Sequence, residues 1–270
     1  MSNERPLGAD VPDAEVTALG RLASELARMG GELALQGLAA VEALTNKSSL
    51  TDLVTEHDQA VERRLVELIA EHRPDDGILG EEGARATGTS GLIWYLDPID
   101  GTTNFVHGHP LWATSVGVGD DSAMLAGAVY APAMDELFAT ARGGGATLNG
   151  ARISSSGCSD VSMAIIATGF GYTSERRLSQ AGRITSMIGR IADIRRGGSA
   201  ALDLCYAACG RVDAFYEEYL NVWDRAAGEL IATEAGCIAG PIGGSSDPSG
   251  LCVAPPAIFD DLRQLIAANV

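Results

Sequence analysis

The residues of this 270-residue chain that could carry chemistry are concentrated in three groups of carboxylates. They are the pair after the apolar run GILG, the two aspartates of the motif DPIDGT and the aspartate that follows Trp223: Glu81, Glu82, Asp97, Asp100 and Asp224. Carboxylates at the ends of buried segments repel one another and lose hydration, so cations must offset the cost. A ligand set of oxygens without His or Cys favours Mg²⁺ or Mn²⁺ over zinc. Together the three groups predict a divalent-metal site, although each alone also fits a solvated surface or a helix cap.

The motif DPIDGT adds a binding element for an anion. Pro98 fixes a turn that lets both aspartates converge, and Gly101-Thr102 begins a predicted helix. A helix N-terminus presents unpaired N–H groups to an anion. Carboxylate-bound metals beside such N–H groups are what phosphate ester hydrolysis requires.

Composition restricts the partners. A formal net charge of -17 disfavours nucleic acid, which is bound by clustered Lys and Arg, and suits divalent cations, although much of it also serves solubility. No run of about 18 apolar residues predicts a membrane span, and the N-terminus lacks the pattern of a secretory signal. Five cysteines without a CxxC pair argue against disulfides and zinc. We therefore expect a cytoplasmic protein.

The first half is predicted to contain two helices followed by a sheet. Apolar spacing over 14–45 predicts one kinked helix or two short ones, because Gly30-Gly31 interrupts it. TDLVT (51–55) is predicted as a brief strand whose Thr55 caps a helix reaching about His72, with Asp58 completing a capping box.

A sheet follows these helices. GILG ends a first strand, a buried strand stops at Pro98, and alternation from Ala113 to Ile153 predicts an antiparallel meander.

The second half alternates strands and helices, so the fold is predicted to be mixed α/β with helices layered on sheets. Helices are predicted at 174–190, at 199–210 with Gly210 as its end, at 223–234 and from Pro256. Strands are predicted at 162–170, 193–196, 212–218 and 251–254, and a mobile loop at 240–250. The predicted division is a disordered tail (1–13), an N-terminal half with most metal ligands (14–154) and a C-terminal α/β half (155–270), forming one catalytic unit.

Two long motifs resemble the signatures of the inositol monophosphatase family. They are WYLDPIDGTTNFVHGHP (94–110) and WDRAAGELIATEAG (223–236), preceded in the family's order by KSSLTDLVTEHD and GEEG. The resemblance extends from about residue 14 to the end, and TNFVHG, ATGFGY and RRGGSAALDLC are similar to the bacterial members. It implies an αβαβα sandwich, Mg²⁺-dependent phosphomonoester hydrolysis, inhibition by Li⁺ and a homodimer.

The resemblance also implies roles for individual residues. The first metal would be held by Glu81, Asp97 and the carbonyl of Ile99, the second by Asp97, Asp100 and Asp224, and a third, weaker ion by Glu81. Thr102, hydrogen-bonded to Asp58, would help Glu81 to orient and deprotonate the attacking water. The N–H groups of Gly101 and Thr102 would hold phosphate, with Asp100 and Asp224 beside the substrate and Glu82 behind the ligands. Gly198, Ser199, Ala200 and Glu217 would face the sugar-like part.

Lys47 is the only lysine among 19 basic residues. The resemblance places it beside the metals, where a compact ammonium balances carboxylates without filling the space that hydrated Mg²⁺ requires. Chance survival is the alternative. We expect Lys47→Arg to keep the fold and impair Mg²⁺-dependent turnover.

Some features depart from the family pattern. EYLN (218–221) lacks the Gly and His of some relatives, and Gly236-Cys237 replaces a pair of glycines. His107 and His109 are interpreted as loop or interface residues rather than acid catalysts.

Three functions remain open on the sequence. The leading one is Mg²⁺-dependent hydrolysis of inositol monophosphate, because a carboxylate at Glu217 accepts hydroxyl hydrogen bonds and repels a second phosphate. The same chemistry on fructose 1,6-bisphosphate, 3'-phosphoadenosine 5'-phosphate or histidinol phosphate is an alternative. The third is a regulatory protein-binding role with the transcription machinery.

Overall fold

The computed structural model describes residues 11–44, 50–242 and 250–267, with side chains described except over 38–44 and 50–55. Lys47 and most of the predicted loop at 240–250 lie outside the described residues, so their roles stay predictions. Most of the predicted tail (1–13) also lies outside, although Val11 is buried and the first helix begins at Asp13. No helix within the described ranges combines the length and apolar character needed to cross a membrane.

Two long helices form the first layer, α1 (Asp13–Leu44) and α2 (Leu50–His72). Gly30 and Gly31 lie inside α1, which is one helix. A Cβ at Gly30 would stand 2.9 Å from Cγ2 of Thr114, and one at Gly31 would stand 2.6 Å from the ring of Tyr130. The glycine pair therefore allows the helix to approach the sheet closely.

The predicted strand at 51–55 is wrong, because α2 already begins at Leu50. The backbone at Thr55 is helical, so Thr55 does not cap the helix and Asp58 does not complete a capping box. Val61, Leu65 and Ile69 are buried on α2 against the core. Extending a helix adds one hydrogen bond for each residue fixed, which outweighs the local strand preference of TDLVT.

An eight-stranded sheet forms the second layer, with α3 (Thr102–Val106) between its third and fourth strands. Its strands are β1 (Gly77–Gly80), β2 (Arg85–Ala86), β3 (Ile93–Asp100), β4 (Ala113–Gly119), β5 (Met124–Ala131), β6 (Glu136–Ala141), β7 (Ala146–Leu148) and β8 (Ala151–Arg152). Their order is β2-β1-β3-β4-β5-β6-β7-β8, and β1 pairs parallel to β3 while every other pairing is antiparallel. The antiparallel meander from Ala113 is confirmed.

The end predicted for β3 at Pro98 is wrong, because the strand continues to Asp100. Its pairing with β4 shifts register between Asp97 and Asp100. Proline lacks the N–H that a ladder needs and is tolerated where pairing is irregular. The irregular stretch of pairing therefore lies between the two aspartates of DPIDGT.

In the described residues of the second half, the chain forms a five-stranded sheet and four α-helices. Its elements are β9 (Ile165–Thr168), α4 (Ser174–Met187), β10 (Asp193–Arg195), α5 (Ala200–Ala208), β11 (Ala214–Glu217), α6 (Val222–Glu234), β12 (Ile238–Pro241), β13 (Leu251–Ala254) and α7 (Phe259–Ala267). The strand order is β10-β9-β11-β13-β12. β12 was not predicted, and α4 ends before a 3₁₀ turn at Ile188–Arg190 rather than at 190.

Helices α5 and α6 lie between the two sheets, while α4 and α7 cover the outer face of the smaller sheet. A Cβ at Gly127 of β5 would stand 2.8 Å from Cα of Ala227, so α6 packs directly on the larger sheet. Separate apolar cores fill the spaces between the layers, with Trp94, Phe215 and Leu262 as members of the first, second and third. The layered αβαβα fold is confirmed.

Candidate active site

Three carboxylates from different elements meet at one end of the larger sheet. Glu81 follows β1, Asp97 lies in β3, Asp224 lies in the first turn of α6, and one oxygen of each lies within 4.8 Å of the others. Asp97 is 1% exposed, and its Oδ1 has no hydrogen-bond partner among the described residues. A buried carboxylate oxygen without a partner costs free energy that a cation would recover.

Parallel pairing of β1 with β3 brings Glu81 beside Asp97. Gly80 pairs with Leu96, and the N–H of Glu81 continues the ladder by donating to the carbonyl of Leu96 at 3.1 Å. Two residues that are sixteen positions apart in sequence therefore lie side by side.

Buried Glu62 of α2 fixes the turn that carries Glu81. Its carboxylate accepts from the N–H groups of Glu82 and Ala84 at 2.9 and 2.8 Å. Glu82 thus contributes a backbone contact behind the ligands. Sequence reasoning missed Glu62, because a glutamate on a helix carries no local sign that it binds a distant turn.

Asp100 is oriented by α5. Its Oδ2 accepts from the hydroxyl of Ser199 and from the N–H of Ala201, the latter at 2.7 Å. The prediction that Ser199 faces the substrate is not supported by this geometry, because Ser199 is buried and its hydroxyl also caps α5 at the N–H of Leu202. The Ser199 hydroxyl therefore donates to the carboxylate of Asp100 and accepts from the first turn of α5.

Asp224 lies at the third position of α6, and its Oδ2 accepts from the N–H of Asn221 at 2.6 Å. The side chain of Asn221 completes a capping box. The cap restricts the rotation of Asp224 and leaves its other oxygen for the cluster. The sequence predicted this placement correctly.

The predicted hydrogen bond between Thr102 and Asp58 is not made. The hydroxyl of Thr102 donates to the carbonyl of Ile99 at 3.0 Å, and a hydroxyl has only one proton to donate. Asp58 is 3% exposed, and its Oδ1 has no partner among the described residues. Burial, then the charges of Glu82 and Glu81, raises the pKa of Asp58 to about 8.

Gly101 forms the start of α3 with a φ of 91°, in the left-handed region that favours glycine. A Cβ there would stand 3.0 Å from the carbonyl of Leu111 and 3.1 Å from that of Gly198. Asn104, which sequence reasoning missed, binds the same two loops by donating to the carbonyls of Leu111 and Gly197 at 2.6 and 2.9 Å. The N–H groups at this helix end are thereby held beside the carboxylates.

Burial makes the carboxyl groups of Glu81, Asp97, Asp100 and Asp224 harder to ionise. Burial, before any neighbouring charge, raises the pKa of Glu81 and Asp100 to about 7 and that of Asp224 to about 6. Burial also raises the pKa of Asp97 well above its usual range, with the charge of Glu81 as the next cause. Such shifts measure the repulsion and desolvation that a bound cation would offset. Oxygen donors, a buried orphan oxygen and this excess of acid fit Mg²⁺ or Mn²⁺.

A pocket extends from the cluster to a second wall. Of the predicted residues, Glu81, Asp97, Ile99, Asp100, Gly101, Thr102, Gly198, Ala200, Glu217 and Asp224 line it. Asp58, Glu82 and Ser199 do not line it. The wall around Glu217 also contains residues that sequence reasoning missed, among them Tyr172, Arg176, Arg196 and Tyr219. Tyr172, Arg196 and Tyr219 lie in the quoted segments ATGFGY, RRGGSAALDLC and EYLN, but nothing in these segments assigned the three residues to the site, and only the fold brings all four together.

Known proteins resemble this chain over most of its length. The model of the inositol monophosphatase family matches residues 15–268. The inositol-1-monophosphatase SuhB of Mycobacterium tuberculosis is 44% identical over 234 residues, covering 82% of this chain and 80% of that protein. The Nus factor SuhB of Vibrio cholerae is 40% identical, covering 84% and 86%. The solved structure of Mycobacterium tuberculosis SuhB is similar with a TM-score of 0.83 at 38% identity, covering 93% and 96%.

Proposed function

Because the chain belongs to the inositol monophosphatase family, a family of phosphatases, we propose that it hydrolyses myo-inositol monophosphate to inositol and phosphate with Mg²⁺. The observation that carries the proposal is the meeting of Glu81, Asp97 and Asp224 within 4.8 Å in a pocket that also contains Gly101 and Glu217. The side of the pocket that contains the three carboxylates and Gly101 is suited to metals and phosphate. The side that contains Glu217 is suited to hydroxyl groups.

The proposed ligands of two Mg²⁺ ions are the side chains of Glu81, Asp97, Asp100 and Asp224 with the carbonyl of Ile99. When bound, divalent cations supply positive charge that offsets these carboxylates and the charge developing on phosphate. A third ion at Glu81, replacement by Mn²⁺ and inhibition by Li⁺ are part of the proposal. The buried Oδ1 of Asp97, which has no hydrogen-bond partner among the described residues, supports binding of a cation at the cluster.

Residues of the chain would then position the reactants. Glu81 takes a proton from the attacking water, and Thr102 keeps the Ile99 carbonyl oriented through its hydrogen bond. The N–H groups of Gly101 and Thr102 hold phosphoryl oxygens. The water oxygen bonds to phosphorus and the bond from phosphorus to the inositol oxygen breaks. That oxygen takes the electron pair and a proton from solvent water, which balances the proton that Glu81 removed.

Glu217 supports a polyol as the leaving group. Its carboxyl lies directly over Gly169, where any Cβ would overlap it. A fixed carboxyl with two oxygens suits neighbouring hydroxyls better than a second phosphate. Fructose 1,6-bisphosphate, 3'-phosphoadenosine 5'-phosphate and histidinol phosphate remain comparison substrates.

The test is phosphate release from myo-inositol 1-phosphate and these three esters, with Mg²⁺, with chelator and with added Li⁺. We expect Mg²⁺-dependent, Li⁺-sensitive release from inositol 1-phosphate and a loss of at least about 100-fold in Asp97→Asn. Asp120→Asn, in an exposed turn, is the control for removing a carboxylate. Preference for another ester would contradict the substrate, and release that persists in chelator would contradict the metal chemistry.

A further inference from the structure

The far wall of the pocket contains an arginine fixed against an aromatic ring. The guanidinium carbon of Arg176, in the first turn of α4, lies 4.0 Å from the ring centroid of Tyr219, and both residues line the pocket. Stacking on a ring fixes the guanidinium plane while its N–H groups remain available at the edge. Among the described residues, no carboxylate lies within the ion-pair distance of 4.0 Å from Arg176.

Tyr219 occupies an unusual backbone conformation in order to present this ring. Its φ is 67°, a left-handed value that costs a residue with a side chain free energy. Its neighbour Glu218 is buried and accepts from both ends of the Arg183 guanidinium at 3.1 Å. That ion pair ties the loop to α4, the helix that carries Arg176. Both partners of the stack are therefore held by one rigid unit.

The stack lies beside Glu217. The segment 169–171 passes under both side chains, because Glu217 lies over Gly169 and the stem of Arg176 lies over Gly171, where a Cβ would stand 3.0 Å from its Cβ and Cδ. Two residues span at most about 7 Å. The N–H of Gly171 donates to buried Gln180 at 2.8 Å, which fixes the segment. An acceptor and a donor thus lie on the same wall of the pocket, over neighbouring residues of one short segment.

We propose that Arg176 is a specificity-determining residue that donates hydrogen bonds to the hydroxyl oxygens of the polyol, opposite the acceptor Glu217, and that Tyr219 positions it. A hydroxyl both donates and accepts; the guanidinium of Arg176 only donates, and the carboxyl of Glu217 has an acceptor oxygen in either protonation state, so the wall offers both functions to neighbouring hydroxyls. This inference rests on the proposed function. Arg176 would contact the end of the substrate remote from phosphate.

The test compares myo-inositol 1-phosphate with cyclohexyl phosphate, which has the same ring without hydroxyls. The measured quantity is the ratio of kcat/KM for the two esters with Mg²⁺. We expect Arg176→Gln to lower this ratio about tenfold through KM for inositol 1-phosphate, since a hydrogen bond to a charged group is lost. Arg190→Gln, an exposed charge on the 3₁₀ turn after α4, is the matched control and should keep the ratio.

Further variants separate geometry from charge. Arg176→Lys should not restore the ratio, because an ammonium lacks the planar fork. Tyr219→Gly keeps the left-handed backbone and removes the ring, so the ratio should fall several-fold, and Tyr219→Phe should recover most of that loss. Full rescue by Arg176→Lys, or an equal loss on both esters, would overturn the proposal. A larger loss on fructose 1,6-bisphosphate than on inositol 1-phosphate would also overturn it, in favour of a site for a second anion.

A binding measurement distinguishes failure of the proposal for Arg176 from failure of the proposed function. If the wild-type protein releases no phosphate from either ester, the proposed function is contradicted. The rise in Tm caused by myo-inositol 1-phosphate with Mg²⁺ then decides the role of Arg176. Loss of that rise in Arg176→Gln supports the proposal, and an unchanged rise, or no rise in the wild type, overturns it.

Discussion

The hydroxyl of Ser199 donates a hydrogen bond to Oδ2 of Asp100, although 99 positions separate the two residues in sequence. The same hydroxyl caps α5, so the helix that lies between the two sheets also orients a proposed metal ligand. Glu62 likewise positions the turn that carries Glu81, through contacts made from another element of the fold.

Ser199→Ala should lower the affinity for Mg²⁺ and the stability of the fold together. Loss of the cap should cost about 1 kcal/mol of unfolding free energy. Loss of a hydrogen bond to a ligand should raise the Mg²⁺ concentration for half-maximal activity about tenfold. Asp160→Ala removes a cap remote from the site and should leave that concentration unchanged. A Mg²⁺ titration of both variants decides, and identical curves would contradict the role of Ser199.

Glu62→Gln should loosen the turn that carries Glu81. A neutral amide offers one acceptor where the carboxylate receives two N–H groups, so we expect a loss of about 1 to 3 kcal/mol by denaturant unfolding. Phosphate release should fall as well. Glu67→Gln, on the exposed side of the same helix, breaks only an ion pair with Arg64 and should cost less than about 1 kcal/mol. Similar unfolding curves for the two variants would count against this role of Glu62.

Gly101→Ala should lower both stability and activity. The left-handed φ and the approach to two carbonyls both oppose a Cβ, so a loss of about 1 to 3 kcal/mol is expected. Gly108→Ala is the matched control, since its φ is 67° but no atom lies within 4 Å of the added Cβ. It should show only the backbone cost. Equal thermal shifts in the two variants would refute the steric part of the argument.

The metal-free protein should lose stability as pH rises. Burial raises the folded-state pKa of Asp100 to about 7, and that of Asp58 and Glu217 to about 8, above ordinary values of 3.8 and 4.5. Between about pH 4 and pH 8 the folded state therefore binds more protons than the unfolded state, so unfolding free energy falls with pH. Mg²⁺ should raise Tm more at pH 8 than at pH 5.

Thermal unfolding in chelator and in Mg²⁺ at four pH values measures this effect. Asp58→Asn should reduce the slope in chelator, because one titrating group is removed. A Tm in chelator that is flat or rises from pH 5 to pH 8 would show that the buried carboxyls do not carry the predicted protons.

Local sequence patterns predicted most helices and strands, because alternation and helical spacing record which face of an element is buried. They failed where packing overruled local preference. Gly30 and Gly31 left two short helices open as an alternative to one helix, but they lie inside α1 and serve close contact with the sheet, and TDLVT suggests a strand but continues α2. The strand β12 was not predicted from the local sequence either, because an edge strand forms only when β13 is present to pair with it.

The sequence by itself determined the class of chemistry, because the motifs GEEG, DPIDGT and WD supply carboxylate side chains, and the chemical type of a side chain does not depend on the fold. Only the tertiary structure decided which polar groups pair with which. In the folded protein the hydroxyl of Thr102 donates to the carbonyl of Ile99 rather than to Asp58. The hydroxyl of Ser199 donates to Asp100, and the guanidinium of Arg176 stacks on the ring of Tyr219. Hydrogen bonds and stacking depend on distances of a few ångströms, and the chain sets these distances only when all its layers have packed.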